Sequence, residues 1–263
     1  MKPPVFDPSW PADVQALYRH DMQEMWDRTI APQVWNQYHS QLDMYCTLAD
    51  GRGQLDVLDV GCAQATLALL LAERGHRVWA MDIRQQFLDY AASRYEKGEI
   101  RFVLGNAIDA APENRFDLIF ANQIIEHLVY PASLVRALAS RLKTDGRLVV
   151  TTPNWAYVKN VLPSFSEIGD PAQHEHLQFS ADGDGHFFAY CASELVEILH
   201  GAGLSQIRVR CFETPWISGH IKFRYLHRWM PTGLLRWLDG ATLRMPGVGE
   251  RLAHQLMVVG EAR

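Results

Sequence analysis

With 263 residues, 48% of them hydrophobic and 21% charged, the chain has the make-up of a globular protein with a substantial core, not of a disordered or fibrous one. A net charge of −5 argues against a surface built for nucleic acid, and no run reaches the roughly 18 apolar residues that a membrane helix needs. The four cysteines, Cys46, Cys62, Cys191 and Cys211, form no C-x-x-C pair, and the opening "MKPPVFDPSWP" has no apolar signal core, so a soluble, cytoplasmic protein is expected.

Residues 12–30 carry Val14, Leu17, Tyr18, Met22, Met25, Trp26 and Ile30 at helical spacing, and 33–49 repeat the pattern with Trp35, Tyr38, Leu42 and Tyr45. "ADGRGQ" (49–54) is turn chemistry. Short apolar runs then appear at 55–60, 77–82, 100–104, 116–121 and 147–152, with helical patterns between them at 64–74, 84–96 and 131–143. This alternation predicts an α/β fold, a parallel sheet with helices on both faces. A loop-like segment (153–191), a helix (192–202), a strand (206–212) and a last apolar run (255–260) complete the pattern. Between the last two strands lie about forty residues rich in Trp, Arg and Pro; long excursions of this kind are usually functional. From Pro215 to His254 six Lys or Arg stand against two acids, a net +4 that leaves −9 for the remainder.

The stretch "VLDVGCAQATLALLLAERG" (57–75) reads strand, tight turn, helix, the arrangement that brings backbone N–H groups to a ligand. Asp59 stands two residues before Gly61, and the G-x-G-x-x-G spacing of dinucleotide sites is absent. A carboxylate there repels a pyrophosphate but welcomes a cationic amino group, so the pattern leans from NAD towards S-adenosylmethionine (SAM). Asp82 ends the second strand, about twenty residues on, where an acid suits ribose hydroxyls. "GNA" follows the third strand and "NQIIEHL" the fourth, so each candidate group sits where a strand meets a loop.

Taken in order, "VLDVGC", "MDI", "GNA", "FDLIFANQIIEHL" and "GRLVVTTPN" resemble class I SAM-dependent methyltransferases, in the branch of the ubiquinone-biosynthesis O-methyltransferases and their relatives acting on sugars and natural products. The resemblance covers residues 55–155 well and 190–212 loosely. It implies a Rossmann-like, doubly wound, mostly parallel seven-stranded sheet with an antiparallel last strand. N-terminal helices (1–52) would cap a SAM-binding domain (53–214 and 255–263), and the 215–254 insertion would cap the substrate. It also implies that Asp59, Gly61, Cys62 and Ala63 hold the methionine end of SAM and that Asp82 and Ile83 meet the ribose. Asn106 and Ala107 would flank adenine, and Asn122 and Gln123 would border the transfer centre. Ala63 and Ala65 depart from the family's glycines, and Asn106 from its frequent Asp; a methyl at a positive-φ position is unfavourable.

For methyl transfer to an oxygen a base must take the proton, and His127, His174, His176 and His186 are the pool, with His127 and His176 preferred. In "HEHLQFSADGDGHFFAY" a strand-like H-x-H would put His174 and His176 on one face. Asp182 and Asp184 add acids, but the spacing fits no standard zinc or EF-hand pattern, so no metal is expected. In the insertion, Lys222, Arg224 and Arg228 beside Trp216, Tyr225 and Trp229 suit an anionic or flat substrate. The expected partner is a small-molecule or glycan acceptor, anionic or lipid-linked, with membrane-surface contact but no nucleic acid. Two alternatives stay open at this point: a non-catalytic SAM-binding or scaffold protein with a degenerate glycine loop, and an NAD(P)-dependent oxidoreductase. Acceptor identity and oligomeric state are not encoded in any motif.

Overall fold

A computed structural model describes residues 1–109, 113–177 and 188–263, with backbone alone at 176 and 177. The chain forms two compact units, Met1–Asn106 with Thr214–Ala241, and Ala107–Glu213 with Thr242–Arg263.

The first unit opens with helix α1 (Ala12–Asp21), which passes into a π-helical turn, Met22–Trp26, and then α2 (Pro32–Thr47). The single α-helix expected over 12–30 is thus broken: the Asp27 N–H reaches back five residues to the Met22 carbonyl (2.7 Å). Pro32, whose missing N–H costs nothing at a first helical position, starts α2. Strands β1 (Asp56–Val60), β2 (Arg77–Asp82) and β3 (Glu99–Leu104) pair in parallel, with α3 (Thr66–Glu73) and α4 (Gln85–Ser93) as crossovers. Every residue of β1 is buried, as expected of a strand covered on both faces. Val14 and Leu17 of α1 join Phe87 and Tyr90 of α4 in one apolar cluster, each buried side chain contributing about 1.5–3 kcal/mol. The 214–241 segment brings α7 (Pro215–Ser218), a 3₁₀ turn (Phe223–Arg228) and α8 (Thr232–Leu243), of which the first two pack on α2.

The second unit holds β4 (Phe116–Asn122), a 3₁₀ turn (Ile125–His127), α5 (Pro131–Ala139), β5 (Leu142–Pro153), α6 (Ala192–Gly201), β6 (Ser205–Phe212), α9 (Val248–Leu252) and β7 (Gln255–Glu261). The helix expected to run to 143 ends instead at Ala139, and β5 begins at Leu142 after a two-residue turn. Asp145 takes φ 60° and folds the chain so that Leu142 pairs with Phe116 before the register shifts to Leu118–Arg147. Gly146 is required there, since a Cβ would lie 2.8 Å from the Lys143 and Phe116 carbonyl oxygens. Glu194 accepts from the Cys191 N–H (2.7 Å) and so caps α6.

The seven strands form one sheet in the order β3-β2-β1-β4-β5-β7-β6. β4 and β5 are parallel, and β7 runs antiparallel to both β5 and β6. This is the mostly parallel, Rossmann-like sheet with an antiparallel last strand that the motifs implied. Among the described residues, no helix is long and apolar enough to cross a membrane.

Candidate active site

The register of β1 on β2 pairs Val60 with Met81, so the turn after β1 leaves beside Asp82. In that turn Gly61 takes φ 62°, Ala63 φ 46° and Ala65 φ 55°. Both alanines therefore hold the left-handed conformation natural to glycine, at about 1–2 kcal/mol each. The surroundings enforce it. The Cys62 N–H donates to the Met81 carbonyl (3.0 Å) and Ala65 N–H closes the turn on Cys62 (2.6 Å). Ala63 N–H donates to Asp82 Oδ2 (3.0 Å), and its methyl packs against the α1–α4 cluster. The substituted loop keeps its glycine-like path.

Asp82 is buried at the tip of β2, its Oδ1 also accepting from the Arg84 N–H (3.0 Å) and Nε (3.3 Å). Ile83, next in the chain, is 59% exposed, an apolar side chain open beside that carboxylate. Asp59 is buried and accepts from the Ala68 amide in the first turn of α3; no cation among the described residues pairs with it. Burial, with some repulsion from Asp82, pushes its carboxyl up to about 7. A buried acid without a counter-charge favours a cationic ligand, which fits the amino group of SAM. Cys62 is buried too, its thiol raised by that burial and by the two aspartates.

Side chains that no motif disclosed support the loop from α1, the π turn and α2. Gln64 donates to Glu24 Oε2 (2.7 Å) and to Tyr38 Oη (3.2 Å). Arg94, fully buried, donates to the Gln64 carbonyl (2.5 Å) and Thr66 Oγ1 (3.0 Å) and pairs with Asp21 (3.0 Å), whose carboxylate also accepts from Tyr90 (2.7 Å) and Trp26 (3.1 Å). Burial, with Asp21 nearby, pushes Glu24 up to about 7. A continuous α-helix over 12–30 hides Glu24 from sequence reading; the extra residue of the π turn is what alters the helical phase there. Arg94 reads as an ordinary helix-end cation until its burial is seen.

In the second unit Ala107 is buried, while Asn106, the last residue of the first unit, is half-buried. Asn122 Oδ1 accepts from Thr151 Oγ1 (3.1 Å), and Gln123, at φ 52°, sets its carboxamide 2.9 Å from Gln255. Glu126 is fully buried in the turn before His127, and burial pushes its carboxyl up to about 8, Thr152 opposing. Its place in "EHL" is the one available sequence signal. His127 is half-buried. His174 lies in a 3₁₀ turn, Pro171–Leu177, its Nε2 3.3 Å from the Ile168 carbonyl. The strand-like H-x-H expectation is corrected by that turn: at three residues per turn, positions two apart do not share a face. The side chain of His176, and all of Asp182, Asp184 and His186, lie outside the described residues. In the insertion, half-buried Trp216 packs edge-on against half-buried Phe223 (4.5 Å), whereas Tyr225 and Trp229 are open to solvent.

The Methyltransferase domain family matches residues 13–209 of this chain. A ubiquinone biosynthesis O-methyltransferase of Leptothrix cholodnii is 25% identical over 194 residues, 66% of this chain and 78% of that protein. A SAM-dependent methyltransferase from Archaeoglobus fulgidus shares the fold at TM-score 0.59 and 15% identity, over 93% of this chain and 98% of that one. The N-methyltransferase NodS of Bradyrhizobium japonicum, in complex with S-adenosyl-L-homocysteine, does so at TM-score 0.56 and 14% identity, over 94% and 97%. The chain belongs to the Methyltransferase domain family, as a class I member. Its methyl donor is S-adenosylmethionine, the cofactor of that class.

Proposed function

We propose that this protein transfers the methyl group of SAM to an oxygen of a small or medium-sized acceptor, a glycan or secondary metabolite. The observation that carries the reading is the pair of buried carboxylates, Asp59 and Asp82, bracketing a positive-φ turn at the ends of adjacent parallel strands. Asp59 is suited to the ligand's amino group, and Asp82 and Ile83 to its ribose. Cys62 and Ala63 contribute backbone to the same cradle. Asn106 and Ala107 would border the adenine, and Asn122 and Gln123 the transfer centre, as the family resemblance implies. Family membership sets aside the oxidoreductase alternative, and the retained path of the loop argues against a scaffold that has lost its ligand.

When bound by the Asp59 and Asp82 cradle, the cofactor would supply a methyl already activated on sulfonium. The protein's share is alignment and deprotonation. Holding nucleophile and donor as a near-attack pair contributes several kcal/mol, about 7–11 for well-oriented groups. His127 is our candidate for the base, since its half-buried imidazole follows the β4 tip directly; His174, His176 and His186 remain the other candidates. Oxygen as the acceptor atom rests on the O-methyltransferase relative, at 25% identity.

Calorimetric titration of SAM and S-adenosylhomocysteine into the wild type and Asp82→Ala tests the cofactor half. Micromolar binding that weakens at least about tenfold in the variant is expected from loss of charge-assisted hydrogen bonds. Absence of wild-type binding with the fold intact would leave the scaffold reading.

A further inference from the structure

The 214–241 segment is held on the first unit by directional contacts. Asn36, fully buried in α2, bonds His227 Nδ1 (3.0 Å) and accepts from Thr232 Oγ1 (2.8 Å), and Arg236 reaches Asp43 (2.7 Å). The segment nevertheless exposes large apolar side chains: Trp229 is 80% exposed, Trp237 65% and Tyr225 62%, with Leu234 and Ile221 near them in the chain. Leu234 and Trp237 lie three apart on one side of α8, while Leu235 is buried. Tyr225 and Arg228 lie three apart on the 3₁₀ turn, where that spacing eclipses. Proteins rarely leave several large aromatics in water without a partner for them.

The charge on this face decides the partner. Arg224 lies over the Tyr225 ring (5.0 Å) and Arg228 over that of Trp229 (5.7 Å). Neither of them, nor Lys222, has a carboxylate partner among the described residues, whereas Arg236 is neutralised by Asp43. Residues 214–241 carry four Lys or Arg against one acid within a chain of net charge −5. Two copies meeting through this face would bring like charges together, which opposes self-association. α8 has 12 residues, about 18 Å of helix, too short to span a hydrocarbon core of about 30 Å.

We propose that this face docks on the surface of an anionic lipid bilayer. Trp229, Trp237 and Tyr225 would enter the headgroup–acyl boundary, where amphipathic rings gain most, and Lys222, Arg224 and Arg228 would meet lipid phosphates. The inference rests on this surface and is independent of the cofactor reading.

The test is co-sedimentation of the full chain with vesicles of phosphatidylcholine alone and of phosphatidylcholine mixed with phosphatidylglycerol, with tryptophan emission followed in parallel. Three cations at the surface predict about a hundredfold preference for the anionic vesicles, lost at high salt, with a blue shift on binding. The double variant Trp229→Ser/Trp237→Ser is expected to lose at least about tenfold of that affinity and the blue shift. Its thermal midpoint and S-adenosylhomocysteine affinity should match the wild type, which separates loss of docking from loss of fold or cofactor site. No binding to anionic vesicles overturns the proposal, as does binding undiminished in the double variant. A concentration-dependent dimer abolished by the same variant, without vesicle binding, would make the face a self-interface instead.

Discussion

Asp59 is a structural cap, and in the proposed function the same side chain also serves the ligand. It accepts from the Ala68 amide at the start of α3, yet that single hydrogen bond leaves its charge uncompensated in a buried place, which is why its carboxyl is pushed up to about 7. A cationic ligand favours the ionised form, so binding should draw the proton off. SAM affinity is therefore expected to be flat above about pH 8 and to fall below pH 7, by up to tenfold per pH unit. Asp59→Asn keeps an oxygen for the Ala68 amide and removes the charge. It should weaken SAM at least about tenfold at pH 8 and abolish the dependence, measured by calorimetry across that range. A variant that retains the slope would move the role to another acid, of which Glu24, also pushed to about 7, is the nearest in kind.

At the scale of elements, the strands and crossover helices were legible because burial on both faces leaves continuous apolar runs, and their ends fall within a few residues of the sequence reading. Where the reading missed, a tertiary contact overrode a local pattern. The π turn at Met22–Trp26 has the same apolar spacing as an α-helix, and only the buried Asp21–Arg94 pair and the Glu24–Gln64 bond explain its extra residue. The same pair ties α1 to the carbonyl of Gln64 in the cofactor turn through one guanidinium. Removing one charge of a fully buried pair leaves the other uncompensated, so Asp21→Asn is expected to cost about 3–5 kcal/mol in urea unfolding. S-adenosylhomocysteine binding should weaken in the same variant under conditions where it is still folded. A loss of stability under about 1 kcal/mol would show that Tyr90, Trp26 and Thr66 suffice to hold Arg94.

Across the whole molecule, the motifs located the carboxyl ends of the strands but not the state of the acids there, because a pKa is set by burial and no sequence spacing encodes it. Glu24 and Asp59 are pushed to about 7 and Glu126 to about 8, while burial, with Arg28 adding, pulls His227 down to about 4. The signs are opposite in consequence. A carboxyl raised above its unfolded value near 4 contributes fully only below about pH 4, and that contribution is lost progressively as pH rises from there to 7–8. A histidine depressed below its unfolded value near 6.5 contributes above that pH, and the contribution is lost as pH falls towards 4. From about pH 4.5 to 6.5 the three carboxyls outweigh the single histidine, so these groups should make stability without ligand fall from about pH 4.5 and level off only near pH 8. Thermal midpoints from pH 4.5 to 9 test this, with Glu126→Gln expected to make the fall shallower and His227→Gln to steepen it below about pH 6.5. SAM, by favouring ionised Asp59, should make the fall shallower, so that the liganded protein gains most on the alkaline side. A wild-type midpoint that climbs steadily to pH 9 would mean that these carboxyls are already ionised in the folded protein and find their counter-charges elsewhere.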